Sequence, residues 1–157
     1  MNHKESIKMS DQKLRVLFLC TGNSCRSQMA EGFCNALKGE QIVAESAGII
    51  AQGVNPYAVK VMKEAGVDIS GHTSKTVDQL EDKNFDHVIT VCDHAKESCP
   101  FFPGPVNRVH KGFDDPPVLA AAAQSEEEIL DVYRRVRDEI RAYINTLPEA
   151  LYKKLET

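Results

Sequence analysis

The chain lacks several features that would place it in whole classes of protein. None of its 157 residues is tryptophan, and no run of 18 or more apolar residues occurs, so neither a membrane-spanning helix nor a membrane partner is expected. The net charge of −4 at pH 7 is not the basic excess typical of nucleic-acid-binding domains, so no nucleic-acid partner is expected. The first 13 residues are polar and lack the apolar region of a signal peptide, so a cytoplasmic location is expected.

Cysteine is also scarce, with five residues at positions 20, 25, 34, 92 and 99. An odd number cannot pair completely. In a reducing compartment, cysteines more often serve catalysis, metal binding or the core than structural bridges.

The length fits one domain with one hydrophobic core. We predict a disordered polar tail over residues 1–12, a single catalytic domain over residues 13–150 and a C-terminal tail over residues 151–157. A monomer is expected.

Apolar runs at residues 14–19, 41–45, 86–91 and 106–109 predict four short strands, with helix signals between them. Ser27 is a candidate N-cap of the first helix, and Pro56 is a candidate first residue of the second. Ser125 and Glu128 predict a capping box before the last helix, and residues 46–48 are expected to form a loop. This alternation predicts an α/β fold, a three-layer αβα sandwich with a four-stranded parallel sheet.

The loop CTGNSCR at residues 20–26 stands between the first predicted strand and helix. Backbone N–H groups at a helix N-terminus bind anions, and Arg26 offers a planar fork of donors for a tetrahedral oxyanion. The same field lowers the pKa of a thiol, so we predict that Cys20 is a nucleophilic thiolate, with Ser27 as a possible donor to it. Gly22 is expected to give the loop backbone freedom. The predicted substrate-binding residues are Thr21, Gly22, Asn23, Ser24, Cys25, Arg26 and Ser27. The competing interpretation is a buried cysteine near a surface arginine.

Cys92 ends the third predicted strand, so it should lie on the same edge of the sheet as Cys20. If residues 93–98 form a helix, Cys92 and Cys99 are about 10 Å apart along its axis, whereas a disulfide needs Cα atoms within about 7 Å. A bridge between them therefore predicts that this segment unwinds on oxidation. Two alternatives remain open: ordinary cysteines, or a zinc site formed by Cys92, Cys99, His94 and His110. His72 and His110 are interpreted as structural. A carboxylate of the Asp114–Asp115 pair is a candidate general acid.

Several segments together resemble one family, the thioredoxin-linked arsenate reductases, which share the low-molecular-weight tyrosine phosphatase fold. The resemblance covers roughly residues 14–147 and rests on CTGNSCRSQMAEGF, ESAG, GVNP, DISGHTS, the pair Cys92 and Cys99, and GFDDP, in this order.

The resemblance implies that Cys20 attacks arsenate, that Arg26 holds its oxygens and that Asp115 is the general acid. It further implies that Cys92 and Cys99 pass on the oxidation as a thiol relay. Thioredoxin, supplied by thioredoxin reductase and NADPH, would reduce the final Cys92–Cys99 disulfide. No cofactor and no metal are expected.

Some members of that family bind potassium through residues that correspond to Asn23, Glu31 and Ser46, together with an aspartate. Lys75 stands in the place of that aspartate. We therefore expect no potassium site and interpret Lys75 as a substitute for the charge of the ion.

Two alternatives to the reductase remain. A low-molecular-weight tyrosine phosphatase would use the same Cys20, Arg26 and Asp115. Members of that class carry aromatic residues after the Asp-Pro pair, whereas PVLAAAA follows Asp115-Pro116 here. A non-enzymatic oxyanion or arsenic sensor that signals through its thiols is the third possibility.

Overall fold

A four-stranded parallel sheet forms the centre of the molecule. The computed structural model describes residues 12–153. The strands are β1 (Leu14–Cys20), β2 (Ile42–Gly48), β3 (His87–Thr90) and β4 (Asn107–His110). The helices are α1 (Arg26–Lys38), α2 (Pro56–Glu64), α3 (Asp93–Glu97), α4 (Pro116–Ala120), α5 (Glu126–Ile144) and α6 (Ala150–Lys153), and a short 3₁₀ turn spans Val77–Gln79.

The order of the strands in the sheet is β2-β1-β3-β4, and all neighbours are parallel. The chain leaves β1 in one direction to form β2 and returns past it to form β3. The carboxyl ends of β1 and β3 therefore meet where the strand order reverses, which is where ligands bind in open α/β sheets. The predicted αβα sandwich with a four-stranded parallel sheet is confirmed.

Two helices begin with the signals that the sequence contains. Asn55 caps α2 by accepting hydrogen bonds from the Tyr57 and Ala58 N–H groups, and Pro56 is the first helical residue. Ser125 caps α5 by accepting from the Glu128 N–H, but the Glu128 carboxylate accepts from the Gln124 N–H, one residue before the position that a capping box requires. The apolar face of α5 then packs against α1, α2 and α4.

Strand β2 is longer than predicted. Residues 46–48 were expected to form a loop, but β2 continues through Gly48, with Ser46 opposite Phe18 and Gly48 opposite Cys20. The small and polar residues Ser46, Ala47 and Gly48 are typical of loops. In the structure, however, each of them pairs with a residue of the neighbouring strand β1, a contact that the local sequence does not predict.

The predicted N-terminal tail over residues 1–12 lies almost entirely outside the described residues. At the other end, Leu151 is buried in the core as part of α6, which places it in the packed domain and not in the tail expected from residue 151. No helix within residues 12–153 is long and apolar enough to cross a membrane.

Candidate active site

Helix α1 begins with its first backbone N–H groups open. Cys25 is the N-cap, and no side chain forms a capping hydrogen bond there. Ser27, the predicted N-cap, lies inside the helix instead, where its buried hydroxyl accepts a hydrogen bond from Asn23 at 2.9 Å. Since a side-chain cap would occupy the donors that an oxyanion needs, its absence keeps this helix start available to a ligand.

The loop before α1 is bent at Asn23 and not at Gly22. Asn23 has a φ of 47°, in the left-handed region that asparagine tolerates better than most residues. Gly22 leaves room for Gln52, since a Cβ atom on it would lie 2.2 Å from Gln52 Oε1 and would displace that exposed side chain. The loop therefore does contain a left-handed backbone conformation, but Asn23 adopts it and Gly22 does not.

A buried polar network lies behind the loop and fixes its shape. Asn23 is fully buried and donates to the hydroxyls of Ser27 and Ser46, and Ser46 donates to Glu31 at 2.5 Å. The Asn23 side-chain oxygen accepts from Gln28 and from the Lys75 backbone N–H. Asn23 and Ser27 thus support the loop from behind, while the other predicted binding residues line the cavity.

The same network contains Asn23, Glu31 and Ser46, the residues that correspond to potassium ligands in some members of the resembling family. Asn23, Ser46 and Glu31 hydrogen-bond one another directly. The Lys75 ammonium donates to the Thr73 carbonyl at 3.0 Å, and no ion pair joins it to Glu31 in the described part of the chain. His72, interpreted as structural, contacts Gln28 Oε1 at 2.9 Å and belongs to the same network.

Arg26 is held in place from the opposite side of the sheet edge. Its Nη1 donates to the Phe113 carbonyl at 2.9 Å, and its Nη2 lies 3.6 Å from Asp115 Oδ1. Its Nε is buried and has no hydrogen-bond partner among residues 12–153. A buried N–H without a partner costs free energy, and an acceptor that reached this group would recover that cost.

The cavity at the loop encloses about 320 Å³. Its walls combine predicted residues with two that sequence reasoning missed, Gln52 and Pro117. The full lining is Cys20, Thr21, Gly22, Ser24, Cys25, Arg26, Gln52, Asp115 and Pro117. Pro117 follows Asp115 closely in the sequence, whereas no sequence signal marks Gln52. None of these residues is aromatic.

Cys92 lies next to the start of the loop, beside Thr21. The Thr21 hydroxyl lies 3.1 Å from Cys92 Sγ, and the Ala95 N–H donates to the same sulfur at 3.4 Å. The hydrogen bond from Cys20, with those from Thr21 and Ala95, lowers the pKa of Cys92 to about 5. The hydrogen bond to Cys92, together with burial, raises the pKa of Cys20.

These opposite shifts describe one charge shared by two sulfurs. The first proton leaves the pair easily and the second with difficulty, so the reduced pair carries a single negative charge at neutral pH. The sequence predicted the thiolate on Cys20 alone. In the structure, the pKa of Cys20 is raised and that of Cys92 is lowered, so the negative charge is not confined to Cys20.

Cys99 lies at the other end of α3. Residues Asp93–Glu97 are helical as the spacing argument assumed, and Cys92 is the N-cap of this helix. Cys99 is partly exposed, and both residues are free thiols. Cys92 is therefore placed to reach Cys20, while Cys99 reaches Cys92 only if α3 unwinds.

The remaining cysteine and histidine candidates are buried or already hydrogen-bonded. Burial raises the pKa values of Cys25 and Cys34 to about 12, so both remain protonated at neutral pH. The described residues include no group of three or more His, Cys, Asp or Glu side chains that could hold a metal ion. His110 is bound to Thr90 and Asp93 instead.

Comparison with known proteins agrees with this geometry. The sequence profile of the low molecular weight phosphotyrosine protein phosphatases matches residues 15–157. An arsenate reductase of Halalkalibacterium halodurans is 54% identical over 134 residues, which cover 85% of this chain and 94% of the relative.

Two solved structures share the fold. One is an arsenate reductase in the phosphate-binding state, with a TM-score of 0.66 and 33% identity over 88% of this chain and 98% of the other. The second is the low molecular weight protein tyrosine phosphatase from T. tengcongensis, with a TM-score of 0.70 and 32% identity over 88% of this chain and 99% of the other. By sequence profile, anion loop and sheet topology, this chain belongs to the low molecular weight phosphotyrosine protein phosphatase family.

Proposed function

We propose that the chain is an arsenate reductase that uses its own thiols to transfer two electrons to bound arsenate. The observation that carries the proposal is a second thiol beside the first, because Cys92 Sγ lies 3.1 Å from the hydroxyl of Thr21, the residue after Cys20, and a hydrogen bond between the two thiols shifts both pKa values. Ester hydrolysis needs one nucleophile, whereas reduction of As(V) to As(III) needs two electrons, which a dithiol supplies by becoming a disulfide. The similar arsenate reductases support the same conclusion.

In the first step, Cys20 Sγ attacks arsenic and forms a sulfur–arsenic bond. One arsenate oxygen leaves as water after Asp115, which lines the cavity, protonates it. Arg26 and the open N–H groups of α1 hold the remaining oxygens. The free Nε of Arg26 gains a partner in this complex.

In the second step, Cys92 attacks Cys20 Sγ. The electron pair of the sulfur–arsenic bond stays on arsenic, so As(V) becomes As(III), arsenite leaves and a Cys20–Cys92 disulfide remains. In the third step, Cys99 attacks Cys92, and Cys20 leaves as a thiolate, which produces a Cys92–Cys99 disulfide. Thioredoxin then reduces this bridge by a second two-electron exchange, with thioredoxin reductase and NADPH upstream.

This scheme favours a specific cellular setting. Free thiols that are oxidised once per turnover need a reducing compartment, so we place the protein in the cytoplasm. One monomer contains all three thiols, so the proposed relay needs no second chain. The catalytic domain was predicted over residues 13–150, and the buried Leu151 extends it by one residue.

Replacing Cys99 with serine should limit the enzyme to one turnover. Wild type should oxidise NADPH continuously with arsenate, thioredoxin and thioredoxin reductase. Cys99→Ser should release about one arsenite per chain and then stop, because Cys20 and Cys92 are both buried and a disulfide between them would be shielded from thioredoxin. The measurement is NADPH absorbance together with quantified arsenite.

Other outcomes point to other functions. Continuous turnover by Cys99→Ser would refute the three-thiol relay. Rapid hydrolysis of an aryl phosphate without arsenate-dependent NADPH oxidation would identify a phosphatase, and stoichiometric arsenate binding without turnover would identify a sensor. Activity with glutaredoxin and glutathione in place of thioredoxin would assign a different electron donor.

Potassium should not activate the enzyme specifically. The side chains that would bind the ion already hydrogen-bond one another, and the Lys75 backbone N–H donates to the Asn23 side-chain oxygen. We propose that Lys75 takes over the charge of the ion in this chain. Equal initial rates in potassium and sodium chloride at matched ionic strength are expected. A marked potassium-specific increase would contradict this assignment.

A further inference from the structure

A histidine outside the cavity connects the helix between the two relay cysteines to the sheet. His110 Nδ1 lies 2.8 Å from the Thr90 hydroxyl, and His110 Nε2 lies 3.0 Å from Asp93 Oδ1. Thr90 and His110 end β3 and β4 and face each other in the sheet register, so the imidazole is mounted on rigid backbone. Asp93 is the first residue of α3.

The contact with His110 is the polar link between the Asp93 side chain and the sheet. The Asp93 side chain is 88% exposed, whereas the His110 side chain is 25% exposed. An exposed carboxylate is ordinarily free to move, so the fixed imidazole determines its position. The contact thereby restrains the first turn of α3, next to Cys92.

Helix α3 has few other attachments. It is five residues long, far shorter than an isolated helix needs to be stable in water. Within the helix, Ala95 is buried, and its N–H donates to Cys92 Sγ, a bond that lowers the pKa of that thiol. A contact that keeps the first turn folded therefore also keeps this N–H on the attacking sulfur.

We propose that His110 is a positioning residue of the thiol relay, which holds α3 folded through Asp93 until Cys99 must reach Cys92. The inference rests on the proposed function for its role in turnover. In the reduced enzyme, the Thr90–His110–Asp93 chain keeps Cys92 against Cys20. In the third step, the Asp93 end is released and α3 unwinds, so that Cys99 can attack.

Amide hydrogen exchange of the reduced protein tests the contact itself. In His110→Ala and in Asp93→Ala, the Ala95, Lys96 and Ser98 amides should exchange up to about fivefold faster than in wild type, because the contact of an exposed carboxylate with the imidazole is lost. The amide exchange rates of the double variant should equal those of each single variant, because all three proteins lack the same contact. If the two residues acted independently, the two rate increases would multiply. His94→Gln, on the same helix but exposed, is the matched control and should leave exchange unchanged.

The Cys92–Cys99 oxidised form separates this role from a general structural one. There the segment is already unwound, so these amides should exchange equally fast in wild type and in the variants. Unchanged exchange in the reduced variants, multiplicative effects in the double variant, or an equal increase in both redox forms would each overturn the proposal.

Single turnover tests the functional consequence. After arsenate is added without thioredoxin, the conversion of the Cys20–Cys92 disulfide into the Cys92–Cys99 disulfide should be up to about fivefold faster in Asp93→Ala than in wild type, by quenched mass spectrometry. An unchanged rate would overturn the role of His110 in the relay. If wild type formed no Cys92–Cys99 bond at all, the relay itself would fail, and the exchange experiment on the reduced protein would still decide whether His110 holds α3.

Discussion

Cys20→Ser should lower the arsenate-dependent rate to less than about one-thousandth of wild type, because the variant has no thiol to attack arsenic. A serine hydroxyl at this position neither forms the sulfur–arsenic bond nor becomes part of a disulfide. The loss should be in chemistry and not in binding, since Arg26 and the open N–H groups of α1 remain. Arsenite release measures the chemistry, and protection against thermal unfolding by arsenate measures the binding.

A second cysteine provides the matched control for this variant. Cys34 is fully buried on α1, away from the cavity lining. Cys34→Ala should keep the turnover of wild type, with a modest loss of stability from the small cavity it creates. Turnover that survives in Cys20→Ser, or disappears equally in Cys34→Ala, would be incompatible with Cys20 as the nucleophile.

Cys92→Ser should also abolish arsenite release, but at the second step. Cys20 can still attack arsenate, yet no thiol remains beside it to accept the oxidation. The adduct should therefore accumulate or revert, and no As(III) should appear above the background without enzyme. Arsenite quantified after a single addition of arsenate measures this, and the finding of repeated turnover in Cys92→Ser would assign the second thiol elsewhere.

The same residue sets the expected pH dependence of arsenite release in wild type. In the proposed first step Cys92 accepts the proton of Cys20, and in the reduced pair, where Cys20 donates to it, the pKa of Cys92 is lowered to about 5 from an ordinary value of 9.0. The single-turnover rate at saturating arsenate should therefore be nearly constant from pH 6 to 8 and should fall as the pH drops through 5. A thiol with the ordinary pKa would instead give a rate rising tenfold per pH unit across that range.

Thr21→Val is the matched variant for this effect. Its hydroxyl is one of the groups that lower the pKa of Cys92, and valine keeps the shape while removing the hydrogen bond. The inflection should move upward by about one pH unit. An unmoved inflection would show that another group controls the profile.

The parts of the site that the sequence predicts are those made by local signals. A buried strand, a loop ending in arginine and an amphipathic helix follow one another within residues 14–37, so β1, the anion loop and α1 can be predicted together. The position of Cys92 near Cys20 also follows, because both end strands of one parallel sheet. Each prediction uses only neighbouring residues and the general geometry of such sheets.

The missed features depend on contacts between distant parts of the chain. Arg26 is held by the carbonyl of Phe113, 87 residues away, and no pattern in either segment predicts that bond. Gln52 is an exposed loop residue whose side chain lies over Gly22, a contact decided by the path of the backbone. Ser46 looks like a loop residue until a central strand pairs with it and a buried network uses its hydroxyl.

The uncapped start of α1 leaves the first backbone N–H groups of the helix without a side-chain partner. A side-chain cap at Cys25 would contribute about 1 kcal/mol, and the chain forgoes it. Burying Arg26 Nε without a partner costs further stability. The packing of Met29 and Phe33 into the core keeps the helix in place despite both losses. The oxyanion of the proposed mechanism would supply interactions that most helices obtain from their own sequence, so the substrate would stabilise the fold for the duration of each catalytic cycle.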